Sequence, residues 1–301
     1  MRFATALPVD LHRSLRPLVA SRADPTIVLH PTRVDRAWGT PEGPATVTVR
    51  QLARDRFDAS AVGPGADWAV AHAPDLVGAA DDLAGFTPEA HPAVAHAHRQ
   101  RPGLRLIRSR RAVDVLVATI IAQRVTSGEA ARSWTRLVRA LGAPAPGAGD
   151  LRLPPDPHQL ARTPTWAFVP YGIDQARAAR LVAACRRLPR LQEAIDLAVD
   201  GDRAEARRRL LALPGLGPWT AGHLLRVAGG DPDAVEVGDY HVKHHVAWNL
   251  VGEPRADDER MLALLAPFTG HRGRVVRLLL SAGRRPPRYG PGRRVVTLDR
   301  W

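Results

Sequence analysis

Two features of the sequence combine residue types and spacing that could do chemistry: a glycine-rich turn and an aspartate downstream of it. The turn lies in residues 213–220, which read LPGLGPWT, and the aspartate is Asp239. Because glycine has no Cβ, we expect Gly215 and Gly217 to adopt φ > 0 and to present backbone N–H groups to an anion. Pro218 suits the first position of a following helix, whose positive end would attract the same anion. The turn could therefore hold the phosphate backbone of a nucleic acid without reading its bases.

Helical segments flank this turn. Residues 204–213 have a helical composition rich in arginine, and residues 219–227 are largely apolar until Gly229 and Gly230 end the run. The pattern predicts a helix, a hairpin and a second helix over residues 204–228. The alternative is an ordinary glycine turn between two packed helices, and the rest of the chain bears on that choice.

Four other segments accompany the hairpin in a fixed order. The five read RPGLRLI at 101–107, ATIIAQRV at 118–125, GIDQARAARL at 172–181, LPGLGPWTA at 213–221 and GDYHVK at 238–243. In these segments and in their order the chain resembles the AlkA-like branch, the 3-methyladenine DNA glycosylases II, of the helix-hairpin-helix Gly/Pro/Asp superfamily of DNA glycosylases.

The resemblance implies a monofunctional DNA glycosylase of base excision repair. Such an enzyme hydrolyses the N-glycosidic bond of alkylated purines, of the 3-methyladenine and 7-methylguanine type, after the base has flipped out of duplex DNA. The resemblance places Asp239 at the family's catalytic aspartate. Cleavage builds positive charge on the deoxyribose, and one carboxylate can both stabilise that charge and activate a water. Asp239 could instead cap a helix starting at Tyr240, and the two roles are compatible because capping fixes the direction of the carboxylate.

Lysine usage bears on the type of glycosylase. In bifunctional relatives the position that Trp219 fills here carries an amine, which forms a Schiff base and nicks the strand. Trp219 cannot do so, and we therefore expect the product to be an intact abasic site. Lys243 is the only lysine in the chain. Its i, i+4 spacing from Asp239 predicts a supporting charge partner for that carboxylate, and a surface lysine is the alternative.

Contacts with DNA are expected from the hairpin and from the loop matched to the family's glutamine. The predicted DNA-binding residues are Gly215, Leu216, Gly217, Trp219, Thr220, Gln123 and Arg124. The relatives place an apolar wedge immediately after the glutamine matched by Gln123, whereas this chain has Arg124. A guanidinium could stack in the gap left by the flipped base or bind a phosphate, so the insertion role stays open.

The predicted base pocket departs from the family. Its predicted residues are Trp219, His223, Tyr240 and Leu280. Trp219 matches one aromatic wall that attracts cationic bases, whereas His223 and Leu280 replace two others. Either further aromatic residues build the pocket, with Trp166, Tyr171 and Tyr240 as candidates, or the pocket accepts a different lesion, such as a deaminated or bulky base. Core packing is the alternative for Trp166 and Tyr171, and a packed or surface histidine is the alternative for His223.

Other interpretations of the sequence remain open. The chain could be a non-enzymatic DNA-damage-binding protein that kept the hairpin. His241 and His245 have a metal-ligand spacing, but the resemblance implies no catalytic metal or other cofactor, only a monovalent cation that hairpin carbonyls could bind. A basic run predicts either a DNA-facing patch or a solvated linker. Its members are Arg99, Arg101, Arg105, Arg108, Arg110 and Arg111.

Composition agrees with a partner that is a polyanion. The 301 residues carry a formal charge of +13, which favours double-stranded DNA with damaged bases as the partner. Cys185 is the only cysteine, so the chain holds neither an internal disulfide nor a four-cysteine iron–sulfur cluster. The N-terminus lacks an apolar leader, and no run reaches membrane-spanning length. We expect a cytoplasmic monomer with no membrane association and no obligate protein partner.

Periodicity predicts the fold class. Short β-type runs at 26–29 and 45–49, with a turn at 40–43, predict an α+β N-terminal domain with an antiparallel sheet over residues 1–87. Residues 88–301 are predicted to form an all-α glycosylase core, and the resemblance implies two helical subdomains with a cleft between them. Its predicted helices include one ending near Gln123 and one that starts with a Thr126–Glu129 capping box. Residues 142–157 form a predicted loop, followed by helices at 175–187, 191–199, 240–250, 257–265 and 274–280.

Overall fold

The computed structural model describes residues 1–147 and 149–287. Ala148, in the predicted loop, and residues 288–301, at the end of the predicted second domain, lie outside the described residues. Among the described residues, none of the helices combines the length and the apolar character that crossing a membrane needs.

A five-stranded antiparallel sheet forms the N-terminal part, as the sequence predicts. The strands are β1 (Arg2–Ala4), β2 (Ile27–Leu29), β3 (Arg33–Thr40), β4 (Gly43–Ala53) and β5 (Arg56–Val62), in the order β1-β5-β4-β3-β2. Thr40 pairs with Gly43, which places the β3–β4 hairpin turn where the sequence predicts it. Val47 and Val49 of β4 are fully buried and alternate with more exposed residues, because successive side chains of a strand point to opposite faces.

Fourteen α-helices account for about half of the remaining described chain. Their bounds are α1 (Leu11–Leu15), α2 (Ala66–Ala71), α3 (Ala73–Leu76), α4 (Pro92–Gln100), α5 (Ala112–Ile121), α6 (Ser127–Leu141), α7 (Pro157–Arg162), α8 (Gln175–Cys185), α9 (Leu188–Val199), α10 (Arg203–Leu211), α11 (Pro218–Val227), α12 (Val242–Val251), α13 (Asp258–Leu265) and α14 (Arg272–Ala282). The predicted helices after residue 110 are all present, and the Thr126–Glu129 capping box forms as predicted. The sheet and the helical region therefore confirm the predicted element types, whereas the division into domains at residue 87 stays a prediction.

Two hydrophobic clusters organise these elements. The first joins the buried face of the sheet to α5, α6 and α8–α11, with α5 buried along most of its length. The second consists mainly of residues from α4, α12, α13 and α14. The chain passes from the first cluster to the second between Ala234 and Val235. The segment from there to α12, which contains Asp239, therefore runs from one packed unit to the other.

A buried ion pair ties the sheet to α5. Arg36 on β3 lies 2.6 Å from Asp114 on α5, and the two side chains are only 6% and 1% exposed. Trp38 donates a hydrogen bond from Nε1 to the same Asp114 oxygen at 2.8 Å. Because charges buried this deeply must be paired, the contact fixes how the sheet sits on the helix that leads to Gln123.

Three arginines of the basic run at 99–111 make contacts within the fold. Arg105 is 4% exposed and donates to the carbonyl oxygens of Pro8 and Pro102. Arg110 pairs with Asp75, and Arg101 binds Ser281. These arginines fasten neighbouring segments together, because a guanidinium offers five donors to carbonyl and carboxylate oxygens. For Arg105, which is buried, a free DNA-facing patch and a solvated linker are both wrong, whereas for the partly exposed Arg101 and Arg110 a DNA-facing role stays a prediction.

We predict that removing the cation of the buried pair destabilises the fold far more than removing an exposed one. Arg36→Ala leaves Asp114 buried without its partner, and we expect a loss of about 3–5 kcal/mol in the free energy of unfolding. The matched control is Arg33→Ala on the same strand, because Arg33 pairs with Asp35 and its side chain is 45% exposed. That change should cost about 1 kcal/mol or less. Urea unfolding of both variants measures the difference, and equal losses would contradict the role given to Arg36.

Candidate active site

The glycine turn forms a hairpin between α10 and α11. Gly215 has φ +87°, as predicted, whereas Gly217 has φ −85° and ψ 174°, so the expectation of positive φ at Gly217 is wrong. Gly217 contributes open space instead, since no atom lies within 4 Å of the place a Cβ would occupy. The absence of a side chain there, rather than left-handed backbone, is what keeps the turn accessible.

The backbone N–H groups at the start of α11 are the anion-binding candidates. Within the described residues, those of Gly217, Trp219 and Thr220 have no hydrogen-bond partner, but Thr220 is 1% exposed, so Gly217 and Trp219 are the candidates that an anion could reach. The predicted DNA contact of Leu216 stays a prediction, and its N–H donates to Leu213 O at 3.2 Å while the residue is 6% exposed. Leu216 packs beneath the turn, and its neighbours present the donors.

Asp239 is held from two sides. Its Oδ1 accepts hydrogen bonds from the backbone N–H groups of His241 at 2.7 Å and Val242 at 2.9 Å. Its Oδ2 accepts one from Trp219 Nε1 at 3.0 Å. The carboxylate thus caps the start of α12, two residues later than predicted, and binds the first turn of α11. It remains partly exposed, with a fixed direction beside the hairpin.

Lys243 does not pair with Asp239, and that prediction is wrong. The Lys243 Nζ lies 3.4 Å from Asp258 Oδ2 on α13. The i, i+4 rule applies when both residues lie within a helix, but α12 begins only at Val242, so Asp239 precedes the helical repeat. Asp239 uses its oxygens on backbone N–H groups and on Trp219, and the ammonium turns to the neighbouring helix.

Gln123 connects the loop after α5 to the hairpin helix. Its Nε2 donates to Thr220 Oγ1 at 3.1 Å, and its Oε1 accepts from Arg180 at 3.4 Å. Thr220 is 1% exposed, so its side chain serves this internal contact while its backbone N–H lies at the start of α11. Arg124 follows with an exposed side chain and φ +60°, a conformation that few non-glycine residues adopt. The loop therefore presents Arg124 from a point fixed to the hairpin.

The predicted pocket residues are only partly brought together. The rings of Trp219 and His223 lie one helical turn apart on α11 and are nearly parallel, with centroids 6.1 Å apart and planes at 13°. Tyr240 is 75% exposed and meets His241 edge to face. Leu280 on α14 is 42% exposed. Trp219 and His223 form one wall, whereas Tyr240 stands free of the packed core.

The two further aromatic candidates differ from one another. Tyr171 packs against the first hydrophobic cluster, which supports core packing for that residue. Trp166 is 73% exposed, so core packing is wrong for it. Neither ring stacks on Trp219 in the described part of the chain, where the ring partner of Trp219 is His223.

The His241/His245 spacing does not build a metal centre in the described residues. Among residues 1–147 and 149–287, no three histidine, cysteine or acidic side chains group as a metal site would require. His244 instead accepts a hydrogen bond from Ala256 N–H at 3.1 Å.

Sequence reasoning missed a buried cluster formed by Arg226, Glu236 and His223. His223 belongs both to this cluster and to the wall that it forms with Trp219. Glu236 Oε1 accepts a hydrogen bond from Arg226 Nε at 2.7 Å and lies 3.2 Å from His223 Nδ1. Burial alone would raise the pKa of Glu236, but the charge of Arg226 and the hydrogen bond from His223 hold it well below its usual value. The sequence signal for this cluster was the i, i+3 spacing of His223 and Arg226 on one helix. The sequence did not show that the loop after α11 folds back and brings Glu236 to these two residues.

A glycine permits this cluster to form. A Cβ on Gly222 of α11 would lie 2.3 Å from Val235 O, so only glycine lets the loop approach the helix so closely. Gly273 of α14 plays the same part on the other side, where a Cβ would lie 2.2 Å from Ala234 O. The loop that carries Glu236 and Asp239 is therefore clamped between α11 and α14.

Comparison of sequences gives two named relatives, although no family model matches the chain. Over 141 residues the chain is 36% identical to the probable bifunctional transcriptional activator/DNA repair enzyme AlkA of Mycobacterium tuberculosis, covering 46% of this chain and 27% of that protein. Over 143 residues it is 27% identical to DNA-3-methyladenine glycosylase 2 of Escherichia coli, covering 48% of this chain and 50% of that protein. The chain thus spans between about a quarter and a half of the length of these relatives.

Comparison of structures extends the similarity to nearly the whole chain. The 3-methyladenine DNA-glycosylase from Archaeoglobus fulgidus has a TM-score of 0.77 at 15% identity, over 94% of this chain and 98% of that one. The Clostridium acetobutylicum 8-oxoguanine glycosylase/lyase, in complex with double-stranded DNA, has a TM-score of 0.68 at 14% identity, over 93% and 96%. The fold is therefore that of these glycosylases, and the resemblance to the AlkA-like helix-hairpin-helix glycosylases is confirmed.

The depressed pKa of Glu236 predicts a pH dependence of stability. A carboxyl group whose pKa is lowered on folding stabilises the protein above its unfolded pKa, near 4.5, and that contribution is lost as the pH falls towards the folded value. Between roughly pH 5 and pH 3 the free energy of unfolding of the wild type should fall more steeply than that of Glu236→Gln, by up to about 1.4 kcal/mol per pH unit.

Urea unfolding at a series of pH values measures these slopes. Glu259→Gln, on the exposed face of α13, is the matched control and should keep the wild-type slope. A Glu236→Gln variant with the wild-type slope would show that the buried carboxylate is not the linked group.

Proposed function

We propose that the chain is an AlkA-like DNA glycosylase that hydrolyses the N-glycosidic bond of alkylated purines, of the 3-methyladenine and 7-methylguanine type, flipped out of damaged duplex DNA. One observation carries the proposal. The Asp239 carboxylate is fixed beside the hairpin by the 3.0 Å hydrogen bond from Trp219, in the first turn of α11, and by the backbone N–H groups at the start of α12. The relatives' names and the shared fold point to the same activity.

The chemistry follows from one positioned carboxylate. As the base departs, positive charge develops on the deoxyribose, and an anion held nearby stabilises that charge more than it stabilises the neutral ground state. Both oxygens of Asp239 are already oriented by hydrogen bonds, and Oδ2, which accepts only one, retains capacity to accept another from an attacking water. Asp239 would then guide the water to the sugar as well as stabilise the charge.

We further propose that the reaction ends at an abasic site. A strand-nicking glycosylase needs an amine to form a Schiff base with the sugar. Trp219 fills the hairpin position at which bifunctional relatives carry that amine, and Lys243, the only lysine, pairs with Asp258. The reaction so described requires no metal, no other cofactor and no protein partner, although hairpin carbonyls could hold a monovalent cation.

Binding of duplex DNA is proposed to use the hairpin. The N–H groups of Gly217 and Trp219 lie at the positive end of α11, where a phosphate is favoured. Gln123 fastens the loop after α5 to the same helix, and we propose that Arg124, the next residue, contacts a phosphate or the gap left by the flipped base.

A second candidate substrate is a neutral or otherwise different lesion. It is favoured by His223 and Leu280, which stand where the family has aromatic walls, and by the hydrogen bond that links His223 to Glu236. Trp219 alone offers one electron-rich face for a cationic purine. Base release from a panel of lesion duplexes distinguishes the two substrates.

Asp239→Asn should lower the rate of base release at least about 100-fold, because it removes the charge and replaces one acceptor oxygen with an NH2 group that cannot accept a hydrogen bond. Liquid chromatography of bases freed from globally methylated DNA measures the loss. Asp257→Asn is the matched control, since asparagine also caps helices and the rate should stay near that of the wild type. Borohydride should trap no covalent enzyme–DNA adduct.

An unchanged rate in Asp239→Asn would remove the proposed mechanism. A wild type that binds damaged duplexes but frees no base from any of them would make the chain a DNA-damage-binding protein. A trapped adduct would contradict the proposal that an abasic site is the final product.

Gly217→Ala should weaken binding of a duplex without weakening the fold. The φ of −85° and the open space around Gly217 accommodate a Cβ, but the methyl group would stand where a phosphate approaches the N–H groups. Loss of one or two such contacts corresponds to a Kd raised about tenfold. Gly39→Ala, on β3 with equally open surroundings, should leave the Kd unchanged. Fluorescence anisotropy gives Kd, and an unaltered Kd for Gly217→Ala would move the phosphate contact elsewhere.

A further inference from the structure

We infer that Arg180 supplies the charged part of the phosphate site at the hairpin, so that one DNA phosphate is bound both by backbone N–H groups and by this guanidinium. The inference rests on the proposed glycosylase function and adds to it a DNA-binding residue from outside the hairpin. The ligand is a phosphodiester of duplex DNA, and the contact is the same whichever base is flipped out.

Arg180 lies between the two loops that are proposed to contact DNA. It belongs to α8, and its Cγ is 3.9 Å from the place that a Cβ on Gly215 would occupy. Its Nη1 donates a hydrogen bond to Gln123 Oε1 at 3.4 Å. Gly215 and Arg124 are both exposed. The Arg180 side chain therefore stands beside the glycine turn and beside the residue that precedes Arg124.

The charge of Arg180 has no carboxylate partner in the described part of the chain. Its hydrogen-bond partner there is the neutral amide of Gln123. The helix α8 contains no acidic residue, and Asp174, which caps it, pairs with Arg177 instead. Arg180 is half-buried, and a guanidinium has five N–H donors. Because Gln123 accepts from one of them, donors remain for an anion.

The hairpin by itself offers an anion only neutral donors. Residues 213–220 include no basic side chain, and the accessible N–H groups of Gly217 and Trp219 carry partial charges. A hydrogen bond from a charged donor to a phosphate is about twice as strong as one from a neutral donor. Arg180 thus brings to the turn, from a different helix, the full positive charge that the turn lacks.

A salt titration reports this charge specifically. A cation that neutralises a DNA phosphate releases a condensed counterion, so each such contact adds about 0.9 to the slope of log Kd against the logarithm of the salt concentration. A residue that only orients a neighbouring side chain releases no counterion. The slope therefore separates a phosphate contact of Arg180 from a role that is limited to holding Gln123.

The test measures the Kd for one duplex by fluorescence anisotropy at a series of salt concentrations. Arg180→Gln should raise the Kd about tenfold at low salt and lower the slope by about 1. Arg180→Lys keeps the charge and should keep the slope. Arg50→Gln, at an exposed arginine of β4, is the matched control and should also keep it. Circular dichroism checks folding, and Arg180→Met is a second neutral variant should Arg180→Gln unfold.

The outcomes separate the inference from the function it rests on. A wild type that frees no base from any damaged duplex overturns the proposed function. If the wild type does free base, a folded neutral variant with the wild-type slope overturns the inference alone, even when its Kd is raised, because Arg180 then only holds Gln123. An equal loss of slope in Arg180→Lys also overturns the inference, since the charge is retained there. A reduced slope in the neutral variant, with the wild-type slope in Arg180→Lys, supports the assignment.

Discussion

The hydrogen bonds made by one carboxylate hold the candidate site together. Asp239 accepts from Trp219 in the first turn of α11 and from two N–H groups at the start of α12. Those two helices belong to different hydrophobic clusters. A single side chain therefore fixes the hairpin, the following helix and its own oxygens relative to one another, and any chemistry at Asp239 depends on both clusters being packed.

The packing that supports this contact is unusually dependent on close backbone approach. Gly222 and Gly273 let the segment containing Ala234 and Val235 lie against α11 and α14 at distances that a Cβ would forbid. That approach brings Glu236 to Arg226 and His223, where the buried charge is compensated. The same loop then continues to Asp239. The cluster of Arg226, Glu236 and His223 and the Asp239 carboxylate are therefore both positioned by this one loop.

Arginine has two kinds of task in this protein. A formal charge of +13 suggests a surface suited to a polyanion. Yet several guanidinium groups are almost wholly buried, among them Arg36, Arg105, Arg177, Arg226 and Arg274. They bind carboxylates and carbonyl oxygens inside the fold, because the guanidinium has five donors in a planar fork. Net charge counts these groups together with exposed ones, which is why composition alone predicts a patch or a linker at 99–111 where the fold has internal contacts.

The sequence by itself determined the element types, the hairpin and the position of the carboxylate. Periodicity, the Pro218 helix start and the Thr126–Glu129 capping box each involve residues only a few positions apart. Such local signals can be recognised in the sequence because they do not depend on how distant segments pack. Only the tertiary structure decided which side chains meet. Lys243 turned to Asp258, Gly217 needed space rather than a left-handed backbone, and Glu236 reached His223 across a loop. Those contacts depend on how two packed clusters face each other, and that orientation arises from long-range packing that no short stretch of residues encodes.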